Sequence, residues 1–259
     1  MKSIISVNYK FMELPSRELL ELVAKYADGM EVYVDYHQQA EVDYLDEIAA
    51  LMSDYKLRLQ IHGESTLSLP EQKEFLARVN NYRSYDGLIL VTLHSIYDED
   101  IYESVERTKK YFDEILEFVE ANCPNIEILI ENLNDWEEHY RLKMADIVPV
   151  IKERPRLGVT YDIGHVLADG EKDLIGDSAQ INDRIKNLHI HTCRSMTDDH
   201  LPIYKGDKNW QLLIDALRNF GDIPVVFEYN LLECRGETIH EKIVDYLQTF
   251  APVISAASK

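Results

Sequence analysis

Short apolar runs recur along the chain, each followed by a stretch of helical spacing. The runs are Ile4–Tyr9, Met30–Asp35, Leu57–Gly63, Leu88–Ser95, Ile126–Leu133, Leu157–His165, Ile185–Thr192 and Pro224–Asn230, and each reads as a strand. Between them, Leu19, Leu22, Val23 and Tyr26 share one helical face, and Val105, Phe112, Ile115, Leu116 and Val119 stripe a longer helix. Thr238 with Glu241 forms a capping box that opens a last helix, whose apolar stripe includes Ile239, Ile243, Tyr246 and Leu247. Eight such alternations in 259 residues predict an α/β protein, a single (β/α)8 TIM barrel with its site at the C-terminal ends of the strands. An open doubly wound sheet would instead show a glycine-rich loop after the first strand, which Asn8-Tyr9-Lys10 is not. No linker, low-complexity tract or change of composition divides the chain. Residues 1–254 are therefore expected to form the barrel domain, with 255–259 as a loose tail.

Side chains alternate faces along a strand, and here the alternation sorts the chemistry. Glu31, Tyr33 and Asp35 oppose Val32 and Val34; Gln60, His62 and Glu64 oppose Leu59 and Ile61; Thr92 and His94 oppose Val91 and Leu93. Glu131 opposes Ile128 and Ile130, Thr160 pairs with Asp162, His189 and His191 oppose Leu188 and Ile190, and Val226, Glu228 and Asn230 share a face. Closing the barrel would bring His62, His94, Glu131, Asp162, His165, His189, His191 and Glu228 into one cavity. Each has a plain structural account on its own. A strand-end histidine can be a hydrogen-bonded core residue, Glu131-Asn132 an ordinary strand exit, and Asp162 a cap for the next helix, with Gly164 as the sharp turn between Asp162 and His165. Buried acids and imidazoles are costly without partners, however, and seven of the eight strands bring one to the same end. A shared cation accounts for the convergence better than independent structural roles.

Composition narrows the partners. Net charge is −20, from 27 Lys and Arg against 47 Asp and Glu, with no local basic cluster. Such a surface repels phosphate backbones and argues against nucleic acid. No apolar run approaches a membrane span, and the N-terminus lacks a signal-peptide pattern. Cys123, Cys193 and Cys234 are odd in number and widely spaced, which fits a reducing cytoplasm.

In order and spacing these residues resemble the xylose-isomerase-like TIM barrels, which include sugar (phosphate) isomerases and epimerases and the endonuclease IV enzymes. The resemblance rests on Glu131-Asn132-Leu133-Asn134, Asp162-Ile163-Gly164-His165, Leu188-His189-Ile190-His191, Asp198-Asp199-His200-Leu201-Pro202 with Gly206 and Trp210, and Glu228. By its sugar branch it implies one divalent metal, Mn, Co or Mg, on Glu131, Asp162, His191 or His189, and Glu228. Glu131 and Glu228 would then act as acid and base on a sugar or sugar phosphate through a cis-enediolate. His165 and Arg194 would contact the substrate, and Trp136 would stack on it or cap the barrel mouth. The arginine that this branch carries after Glu-x-Leu-Asn is Asp135 here, which leaves the substrate contacts open. By its endonuclease branch the resemblance implies a multi-zinc phosphodiesterase on DNA, adding His62, His94, His165, Asp198 and His200 as ligands. A third reading is a non-catalytic sugar-binding barrel, against which stand both glutamates. Dimers are common among the barrels it resembles, so a homo-oligomer is compatible with the resemblance, and the sequence leaves the oligomeric state open. The sugar-isomerising enzyme is the reading carried forward.

Overall fold

The structure is a computed structural model that describes all residues except 64–66, 99, 135–141, 171–172, 195–196, 198 and 259. Eight strands are present: β1 Ser3–Val7, β2 Gly29–Tyr33, β3 Arg58–His62, β4 Ile89–Leu93, β5 Ile126–Glu131, β6 Gly158–Asp162, β7 Ile185–Ile190 and β8 Val225–Phe227. They close into a barrel in sequence order, and each neighbouring pair is parallel. Helices follow the strands and pack outside, so this is the (β/α)8 barrel that the alternation predicts.

The two faces of each strand separate as parity requires. Ile128, Ile130, Val159, Tyr161, Leu188 and Ile190 are buried toward the helices. Glu31, Gln60, Thr92, Thr160 and Asn187 are also buried, although polar, and the Thr92 and Thr160 hydroxyls meet at 2.7 Å. The helices bury the stripes read from the sequence, with Leu19 and Val23 in Ser16–Tyr26 and Phe112, Ile115 and Leu116 in Ile101–Asn122. Thr238 and Glu241 cap Ile239–Gln248, which buries Ile243, Tyr246 and Leu247.

Two expectations are corrected. Several apolar runs leave the sheet earlier than read, because their polar ends bond locally instead of joining the ladder. Tyr9 lies in a 3-10 turn, His165 in the helix Ile163–Ala168, and Asn230 accepts from Leu232 N at 3.2 Å. The loose tail is largely absent, since the helix Phe250–Ala257 runs through most of it and buries Val253 and Ala257. Among the described residues no helix is long and apolar enough to cross a membrane.

Candidate metal centre and cavity

Glu131, Asp162 and His189 end or nearly end their strands, and Glu228 follows directly on β8. The register sets Asp162 opposite His189 and Glu131 opposite Thr160. Asn132 laces β5 to β6 by accepting from Asp162 N at 2.8 Å and donating to Asp162 O at 2.9 Å. Asp162 divides its work. Oδ1 caps the following helix through His165 N at 2.8 Å, and Oδ2 faces inward.

His189 stands at the middle of the centre. Its Nδ1 lies 2.8 Å from Glu228 Oε2, 2.9 Å from Glu131 Oε1 and 3.8 Å from Asp162 Oδ2. All four atoms are buried and lack a well-formed hydrogen bond. Four ligand atoms converge within 4.8 Å of one another, and all belong to groups that bind hard or borderline cations. The residues therefore fit a divalent ion. Of the two histidines left open by the sequence, this grouping contains His189, not His191.

Three further groups adjoin the first, and one of them joins His62 to His189 and Glu228. His62 and His94 approach Glu131 Oε2 at 3.2 and 3.0 Å, so Glu131 joins both groups. On the other side His165, His191 and His200 gather, with the rings of His191 and His200 stacked at 4.0 Å. His200 is brought back over the barrel by an antiparallel bridge between Thr192 and Leu201. It adopts φ +49° and anchors Nδ1 to Glu228 O at 3.0 Å, a strained backbone of the kind found at functional sites.

Electrostatics follow this geometry. Burial opposes charge on His189, but Glu31, Glu228 and Glu131 raise it well above the usual imidazole range. Burial likewise opposes His62, which Glu131, Glu31 and Glu228 lift to about 9. Burial lowers His94, helped by the charge of His62. Burial would raise Glu131 and Glu228, yet the charge of His189 holds both carboxyls below the usual range.

Above the centre opens a cavity of about 380 Å³. Glu131, Glu228, His62, His94, His165 and His200 line it, with Ser6, Asn8, Lys10 and Tyr33 on the side of β1 and β2. Arg194 stands apart from these, paired with Glu233 at 2.6 Å and Asp199 at 3.5 Å. Trp136 and Asp198 lie outside the described residues. Glu31 and Lys10 are additions to the candidate site residues, and Asn132, quoted in the motif after β5, gains a lacing role. Inward parity flags Glu31, and Lys10 takes its place from the 3-10 turn Tyr9–Glu13.

Fold and cluster together define a (β/α)8 barrel with a candidate cation site at the carboxyl ends of its strands. The chain belongs to the xylose isomerase-like TIM barrel family, whose profile matches residues 20–250. Among curated relatives, an uncharacterized protein of Sinorhizobium fredii is 28% identical over 134 residues, covering 49% of this chain and 42% of the relative. One of Methanocaldococcus jannaschii is 25% identical over 138 residues, covering 51% and 47%. The matched stretch thus spans less than half the length of these relatives. Similar solved structures include a D-tagatose 3-epimerase-like protein, at 19% identity and TM-score 0.73, covering 100% of this chain and 97% of that one. D-psicose 3-epimerase from Clostridium cellulolyticum, solved with D-tagatose, gives 18% and 0.72 with 98% of each chain covered. Endonuclease IV from Thermus thermophilus gives 15% and 0.63, covering 98% and 99%. At these identities the likeness is one of fold.

Proposed function

We propose that this protein is a divalent-metal-dependent isomerase or epimerase of a sugar or sugar phosphate. One observation carries the reading: buried atoms of Glu131, Asp162, His189 and Glu228 converge, and two of these residues, Glu131 and Glu228, line a cavity large enough for a monosaccharide. These four residues would hold the ion, whose chemistry is to draw charge from a substrate carbonyl and so acidify the neighbouring C–H. Glu131 and Glu228, the two carboxylates that both line the cavity and flank His189 Nδ1, are suited to remove a proton beside that carbonyl and return it to the cis-enediolate. His165 and Tyr33 would hydrogen-bond the substrate's hydroxyls from the cavity wall. The epimerase names among the similar structures support the same assignment.

A second reading draws on the flanking groups. His62–His94–Glu131 and His165–His191–His200 provide nitrogen-rich sets that suit zinc, as a polynuclear phosphodiesterase on DNA would require. The net charge of −20 weighs against it, and Lys10 is the single lysine or arginine among the described residues that line the cavity.

Isotope exchange tests the choice. In D2O with Mn2+ and a panel of ketoses and ketose phosphates, the wild type should incorporate deuterium beside the carbonyl. Glu228→Gln should lower that rate by about 10²–10⁴-fold while remaining folded. Absence of exchange on the whole panel, with two or three tightly held zinc ions and cleavage of abasic-site DNA, would overturn the sugar reading.

A further inference from the structure

Beneath the four candidate ligands lies a second polar layer inside the barrel, and Glu31 of β2 is its one charged member. The residue is 0% exposed. Burial so complete is very costly for a carboxylate unless an opposite charge or good donors answer it. Among the described residues no lysine or arginine pairs with Glu31. His189 Nε2 lies 3.0 Å from its Oε1 and hydrogen-bonds Oε2 at 3.2 Å, and Asn187 Nδ2 donates to Oε2 at 3.4 Å. Asn187 and His189 share a face of β7, so one strand supplies both donors.

This contact decides the state of the imidazole. Nε2 faces both carboxyl oxygens, and a neutral ring that donates its Nε2–H to them keeps its lone pair on Nδ1. Nδ1 is the atom that faces Glu131, Asp162 and Glu228. Three acceptors around a lone pair repel one another until a cation lies among them. β2 supplies no candidate ligand, and it reaches the centre through β7.

We infer that Glu31 is the positioning residue of the centre: it holds the Nε2–H of His189, presents Nδ1 as a ligand, and adds buried negative charge that tightens cation binding. The inference rests on the proposed cation site, and carboxylate–imidazole pairs of this geometry tune metal affinity by about 10–100-fold. A glutamine at position 31 could accept the same hydrogen bond without the charge. Glu31→Gln is therefore expected to bind Mn2+ at least about tenfold more weakly than the wild type, in competition with a chromophoric chelator. Its ion-free form should unfold at the same or a higher temperature, because a buried charge among three other carboxylates has been removed. A purely structural role predicts the opposite pair of results, a weaker ion-free fold and unchanged affinity. Long-range ¹H–¹⁵N correlation on the zinc-loaded wild type reads the tautomer whether or not the variant folds. A hydrogen on Nε2 and none on Nδ1 supports the role, and the reverse overturns it. A wild type that binds no Mn2+ sinks the cation site and this inference with it. Binding by the wild type with equal binding by Glu31→Gln sinks the role of Glu31 alone.

Discussion

Gly164 sits in the first turn of the helix Ile163–Ala168, between Asp162 and His165, and its importance is steric. A methyl group there would lie 2.2, 2.3 and 2.4 Å from three ring atoms of His191. The ring is wholly buried and stacked on His200, so it has no easy retreat. Two effects compete in Gly164→Ala. Helix propensity favours alanine by about 1 kcal/mol, whereas forcing an atom into a packed site costs about 1–3 kcal/mol. The clash is with a rigid ring, so the penalty should win, with a net loss of up to about 2 kcal/mol in urea unfolding. A variant as stable as the wild type would show that His191 can move aside. The sequence marks Gly164 as a turn, but the residue it must admit is 27 positions away on another strand. Asp162 was legible in a similar, partial way. A cap and a ligand were alternatives in the sequence, and the structure gives one oxygen to capping and points the other at the centre.

At the scale of elements, the recurring apolar runs revealed all eight strands, and period-two alternation separated the faces of seven of them. Strand ends were less legible. Residues such as Asn230 look like strand continuations by parity, but their side chains bond the next turn. Contacts between helices were invisible, since each joins residues far apart in the chain. Asp46, on the helix Gln39–Leu51, illustrates this. It accepts from Arg78 Nε at 3.0 Å and from Tyr82 OH at 2.5 Å, and Arg78 Nη2 closes a second bond. These contacts tie the helix Gln39–Leu51 to the helix Leu69–Val79 that carries Arg78. The Arg78 hydrogen bond holds the Asp46 carboxyl below its ordinary 3.8. A lowered folded-state value means that the stabilisation is complete above the unfolded value and disappears as pH falls through the folded one. Asp46 is 41% exposed, so solvent screening limits the effect. Asp46→Asn should cost about 1 kcal/mol at pH 7, and the difference from wild type should close as pH falls below the ordinary carboxyl range. A difference that persists unchanged in acid would assign the loss to packing.

Across the whole molecule the barrel gathers charge of one sign. Glu31, Glu131 and Asp162 are at most 1% exposed, and Glu228 joins Glu131 and Asp162 around His189. No lysine or arginine among the described residues is paired with any of these four carboxylates, and His189 is the group they surround. A cation that binds only the closed barrel, where β5, β6, β7 and the end of β8 meet, should therefore stabilise the fold as a whole. At an ion concentration 100-fold above the dissociation constant the linkage is worth about 2.7 kcal/mol, or about 5–10 °C in melting temperature for a chain of this size. Treatment with a chelator should lower the melting temperature by that amount, and Mn2+ or Zn2+ should restore it. Asp162→Asn sharpens the measurement. Asparagine can still accept from His165 N and cap the helix, so the ion-free variant should fold, but it should respond far less to added metal. Equal melting temperatures with and without chelator, in wild type and variant alike, would show that no metal ion supports the barrel through this centre.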